Sequence, residues 1–229
     1  MELIDALRTT GAVREFTDEP VPDDVLYRLL DVARFAPNGG NRQAWRVIVV
    51  KNPEVRSRLR DLYLENWYAY LAQVSAGLTP WAPVTDRRAE VEALSSAPQL
   101  AERAQTGAPG FAERFDEVPV MLAVVADLTK LAAVDRDADH YTLVGGASIY
   151  PMAWSILLAA RDAGLAGVIT TMVVRSQHEA RAVLGVPTHC VVAAVLALGH
   201  PVHQPTRLRR SPVESFATVD RFDGESFTP

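Results

Sequence analysis

Ala36-Pro37-Asn38-Gly39-Gly40-Asn41-Arg42-Gln43-Ala44-Trp45 is the stretch from which the rest of the chain can be placed. Before it, Val25, Leu29, Val32, Ala33 and Ala36 recur at helical spacing, with Leu26 and Leu30 beside them. After it, Val47-Ile48-Val49-Val50 reads as a strand. The stretch is therefore a helix-to-strand loop. Its glycines permit positive φ and a close approach of backbone to a ligand. Asn41 and Gln43 each offer an amide donor and an amide acceptor, a pairing that suits a flat heterocycle edged with carbonyl and N–H groups. The same composition also serves an ordinary turn, because Pro, Asn and Gly are what turns use.

Working back from the loop, Val21-Pro22-Asp23-Asp24 opens the helix, with proline in the first turn and two acids at its positive end, and Pro37 closes it. Residues 2–9 read as a short helix with Leu3, Ile4 and Leu7 on one face. Between the two lies Arg8-Thr9-Thr10-Gly11-Ala12-Val13-Arg14-Glu15-Phe16. Guanidinium forks and hydroxyls of this kind match a phosphate, since charge-assisted hydrogen bonds to an oxyanion are short and strong. A solvated turn with two surface arginines has the same composition.

Working forward, Asn52-Pro53 starts a further helix as N-cap and first residue, with Val55, Leu59, Leu62 and Tyr63 on its buried face and a continuation through Trp67 and Tyr70. Residues 75–118 hold several prolines and glycines around an Ala- and Glu-bearing stretch at 86–104 that could be helical. They read as a variable insertion, a lid, whose Trp81, Phe111 and Phe115 either line a pocket or anchor the insertion. Pro119–Ala126 is an apolar run expected as a strand covered on both faces. Residues 141–163 read as one long helix, apolar nearly all round and so buried centrally or between subunits, ending at Gly164. Ala166–Thr171 reads as a short strand, Ser176-Gln177-His178-Glu179 as a capping box, and His189–Leu198 as the most strand-like run. Residues 200–229 form a polar tail whose Phe216, Val219, Phe222 and Phe227 suggest an arm held against something else. Helices and strands alternate as in a sheet covered on both faces, within one domain spanning 1–229.

Several classes of function are disfavoured. A formal net charge of -5 argues against nucleic acid, whose partners are basic. No apolar run approaches the roughly 20 residues of a membrane-spanning helix, and the N-terminus lacks a signal peptide's basic and apolar regions, so a soluble, cytoplasmic protein is expected. The lone Cys190 reads as a core residue. His140, His178 and His189 read as ordinary polar contacts, and His200-Pro201-Val202-His203 makes a poor metal site; no metal is expected. There is no G-x-G-x-x-G after a strand, no P-loop and no G-x-S-x-G elbow.

Together the patches resemble the nitroreductase family of FMN-dependent oxidoreductases. The likeness is carried by Arg8 to Phe16, Val21-Pro22 before a helix, Ala36 to Trp45 running into a strand, Ala159 to Leu165, and Arg210-Ser211-Pro212-Val213-Glu214. It covers most of the chain except roughly 64–118. It departs from the family pattern at Asn38 and Ala44, where serine and proline are usual, and in a longer Arg8-to-Arg14 spacing. The resemblance implies an α+β, three-layer sandwich with a central mixed sheet flanked by helices, and a homodimer whose C-terminal arms exchange, with FMN at the interface. It implies that Arg8, Thr9 or Thr10, and Arg210 hold the phosphate, and that Arg14 lies near the ribityl chain or the N1–O2 edge. It places Pro37, Asn38, Gly39, Asn41 and Gln43 along the ring from the other subunit, and Thr170 and Thr171 near N5–O4. The activity it implies is ping-pong transfer of hydride from NADH or NADPH to a nitroaromatic, quinone or enone, with no catalytic side chain because the flavin carries the chemistry. A specialised reductive dehalogenase, a flavin-destroying enzyme and a non-catalytic flavin-binding protein are the alternatives.

Overall fold

A computed structural model describes residues 1–229. Four strands form one sheet in the order β1-β2-β4-β3, with β1 Trp45–Val49, β2 Val120–Asp127, β3 Ala166–Thr170 and β4 Cys190–Gly199. All three pairings are antiparallel, where the resemblance implied a mixed sheet; the one parallel pairing is an isolated bridge from Ala12 to Gly167. Strand β2 is buried along its whole length. Side chains alternate across a strand, so Leu122, Val124 and Ala126 join one core while Met121, Ala123 and Val125 join the other. Helices α1 (Leu3–Thr9), α2 (Asp23–Ala33) and α6 (Tyr150–Asp162) lie on the first side, and α3 (Pro53–Ser75) and α7 (Gln177–Leu184) on the second. The result is the expected three-layer sandwich.

Helix α3 starts where its cap dictates, with Asn52 Oδ1 accepting from the N–H groups of Glu54 and Val55 at 2.8 and 3.2 Å. Helix α6 is shorter than the apolar pattern implied. Residues 144–148 form a 3-10 turn containing Gly145 and Gly146, and Pro151, which has no N–H to offer the helix interior, takes the first turn of α6. Ser176 precedes α7 but does not close a capping box; its hydroxyl accepts from Asn66 Nδ2 of α3 at 2.9 Å instead. The insertion holds two helices, α4 (Arg87–Leu94) and α5 (Ala97–Thr106), both packed on α3. Its last part packs into the core: Ala112, Phe115 and Val118 are core residues, and the Phe115 ring lies 4.5 Å from the Tyr63 ring, centroid to centroid.

Beyond the faces that pack into the core, α1, α2 and α6 carry outward-facing apolar side chains that this chain leaves uncovered. Leu3, Ile4 and Leu7, expected on one face of a short helix, are exposed, as are Val32, Phe35, Tyr150 and Trp154. Between the three helices runs an apolar groove of about 670 Å³. The tail's Phe216, Val219, Phe222 and Phe227 are exposed too.

Candidate functional site

The sequence-predicted residues fall into two groups on opposite edges of the sheet. The first gathers beside β3. After α1, the chain donates the Val13 N–H to the Gly167 carbonyl at 2.9 Å and then runs along the start of the tail, where Thr17 N–H bonds to the His200 carbonyl and Val202 N–H to the Glu15 carbonyl. The tail crosses Gly11 so closely that a Cβ there would lie 2.8 Å from Leu208 Cδ2. That crossing places Arg207 and Arg210 beside Arg8, and the three arginines line one groove of about 490 Å³ with Leu7, Thr206 and Leu208, with Arg210 Nη1 donating to the Arg209 carbonyl at 2.7 Å. No acid pairs with Arg8, Arg14, Arg207 or Arg210. A groove lined by charge of one sign attracts an anion. Arg207 was not singled out from sequence, because nothing in the tail's pattern says that it folds back over Gly11.

Thr9 and Thr10 serve α1 itself. Their hydroxyls donate to the carbonyls of Asp5 and Ala6, each at 2.7 Å, and Thr9 Oγ1 also accepts from Arg161 Nε at 3.1 Å. A hydroxyl has one proton to give, so in this arrangement neither donates to a phosphate. Further along, Arg14 lies within electrostatic reach of Tyr63, whose hydroxyl faces Thr170. Burial raises the Tyr63 pKa, and Thr170 and Arg14 oppose that rise in part. Thr170 is buried at the end of β3, while Thr171 is exposed and opens the next turn.

The second group is the 36–45 loop leading into β1. Gly40, Asn41 and Gln43 have φ of 60°, 53° and 49°. The left-handed region is uncommon for residues other than glycine, and asparagine tolerates it best. Two bonds hold the loop in this form. Asn38 Oδ1 accepts from Gln43 N–H at 2.9 Å, and Ser148 Oγ accepts from Gly39 N–H at 3.0 Å. A Cβ at Gly39 would lie 2.6 Å from Ala132 Cβ, so only glycine fits without a shift. Pro37, Gly40, Asn41 and Gln43 are exposed.

Strands β1 and β3 are separated by β2 and β4. At the usual strand spacing the two groups are about 14 Å apart across the sheet. The two groups thus stand on opposite edges of the sheet within one chain.

Comparison with known proteins places this architecture. The model of the nitroreductase family matches residues 7–200, and the chain belongs to that family. It is 25% identical over 203 residues to an NADH dehydrogenase of Thermus thermophilus, covering 89% of this chain and 88% of that one. It is 27% identical over 217 residues to human iodotyrosine deiodinase 1, covering 93% of this chain and 66% of that protein. Among solved structures, the FMN- and NADPH-dependent nitroreductase NfnB, crystallised as a mutant and derived from a Sphingopyxis strain, superposes with a TM-score of 0.64 at 24% identity, covering 97% of this chain and all of that one (100%). No helix of the protein is long and apolar enough to cross a membrane.

Proposed function

We propose that this protein is an FMN-dependent oxidoreductase that passes hydride from NADH or NADPH to an electron-poor acceptor, a nitroaromatic, quinone or enone, and that it works as a homodimer. Family membership supports the cofactor. The observation that carries the assignment to these residues is the acid-free groove of Arg8, Arg207 and Arg210, which offers a terminal phosphate several charge-assisted hydrogen bonds. FMN supplies a two-electron carrier whose N5 takes and gives hydride. The chain's own work is positional and electrostatic. The three arginines hold the phosphate. Arg14 would stabilise negative charge on the ring's N1–O2 edge, and Thr170 and Thr171 would meet the N5–O4 edge. The partner's 36–45 loop presents the backbone at Gly39 and the amides of Asn38, Asn41 and Gln43 along the ring. None of these groups is required to exchange a proton with substrate, because the flavin carries the chemistry. The lid on α3 and the exchanged tail carrying Phe216, Val219, Phe222 and Phe227 cover what remains open.

The test is anaerobic. NADH or NADPH should bleach the visible flavin band, and p-benzoquinone or a nitroaromatic added afterwards should restore it. Initial rates at varied concentrations of both substrates should give parallel double-reciprocal lines. A band that neither nicotinamide bleaches would refute the assignment. Likeness to iodotyrosine deiodinase across 93% of this chain favours a second reading, reductive dehalogenation of an aromatic substrate. Halide release from a halogenated phenol, with poor quinone turnover, would select it.

A further inference from the structure

Strands β2 and β4 are paired to their ends, so Asp127, the last residue of β2, stands opposite Cys190, the first of β4. Cross-strand partners share a face of the sheet. His189 directly precedes Cys190, and its carbonyl accepts the Leu128 N–H at 3.0 Å, which ties the turn after β2 to the start of β4. The Asp127 carboxylate, the His189 imidazole and the Cys190 thiol thus bring one ligand atom each to within 4.8 Å of one another. Asp127 and Cys190 are buried, at 9% and 3% exposure, and His189 is exposed. Sequence reading treats these residues separately, because it cannot see the pairing that joins residue 127 to residue 190.

We propose that Asp127, His189 and Cys190 form a zinc-binding site. The donor set decides the metal: sulfur with imidazole and one carboxylate suits zinc, whereas magnesium and calcium take oxygen. Three protein ligands leave a fourth position for water. Tetrahedral zinc needs ligand atoms roughly 3.5 Å apart, and the exposed imidazole is the ligand free to swing inward. The carboxylate is already oriented as an outer shell would orient it, with Asp127 Oδ1 accepting from Thr129 N–H at 3.0 Å and from Thr129 Oγ1 at 2.6 Å. Lys130 Nζ faces Asp127 Oδ2 at 3.8 Å from an exposed side chain, and zinc would take its place. Asp127 N–H also bonds to the Ala44 carbonyl at 2.7 Å, so the metal would brace the sheet end from which the 36–45 loop departs. This site is independent of the flavin assignment.

The full-length protein with its bound cofactor is treated with a chelator, mixed with one equivalent of ZnCl2, desalted, and its zinc measured by elemental mass spectrometry. Wild type should retain about one zinc per chain, and Cys190→Ser and His189→Gln at least about tenfold less. His189→Gln changes an exposed side chain, so its zinc-free melting temperature should match wild type while the rise that zinc produces in wild type disappears. Wild type that retains no zinc, or His189→Gln that retains as much as wild type, overturns the proposal.

Discussion

Arg8→Ala should weaken FMN and spare riboflavin. Arg8 closes the last turn of α1 and shares its groove with Arg207 and Arg210, with no carboxylate to share the charge. A hydrogen bond between charged groups contributes about 1.5–3 kcal/mol, and about 1.4 kcal/mol is tenfold in affinity. Removing one guanidinium should therefore raise the FMN dissociation constant about 10- to 150-fold. All three arginines are exposed, so the low end applies at physiological salt and the effect grows as salt falls. Riboflavin lacks the phosphate and should bind the variant and wild type within about twofold, since surface changes without a specific partner cost little. Arg209 does not line the groove, and Arg209→Ala is the matched control. The assay is flavin fluorescence quenching with FMN and riboflavin at two salt concentrations. Equal losses for both flavins, or an Arg209→Ala effect as large as that of Arg8→Ala, would refute the phosphate assignment.

Gly39→Ala forces a Cβ to 2.6 Å from Ala132 Cβ and should lower stability by about 1–3 kcal/mol, read as a lower melting temperature, with FMN affinity falling alongside. Trp154→Asp puts a charge on the exposed face of α6 and should give a monomer in sedimentation that no longer holds FMN; a monomer that kept it would contradict a site shared between chains. Tyr68 donates to Glu113 Oε1 at 3.0 Å, and burial together with this carboxylate pushes its pKa up to about 12. The folded state therefore favours the protonated phenol. This contribution is fully present below pH 10, the ordinary value, and is lost as pH rises through about 12. Ultraviolet titration of Glu113→Gln should show the phenol ionising at lower pH than in wild type.

The parts of the fold that the sequence makes legible are those set by local chemistry. Asn52-Pro53 starts a helix because the side chain and ring that cap it are adjacent in the chain, and β2 reads as a doubly covered strand because its own eight residues say so. Where a partner from elsewhere decides, local reading goes astray. Ser176 has the composition of a capping box, but Asn66 takes its hydroxyl. Phe115 reads as part of an insertion until α3 supplies Tyr63 to pack on. Apolar periodicity carries 141–163 as one helix, although Gly145, Gly146 and Pro151 move its start to Tyr150. The candidate site divides in the same way. Arg8 and the 36–45 loop stand out by composition, while Arg207 joins them only through the tail's crossing of Gly11.

The most direct test is the visible spectrum of the purified protein, with the chromophore released by denaturation and identified. The account predicts a yellow protein that releases about one FMN per chain, as two composite sites in a dimer require. A colourless protein that also fails to take up added FMN would contradict it, and the roles given to Arg8, Arg14, Arg207 and Arg210 would fall with it.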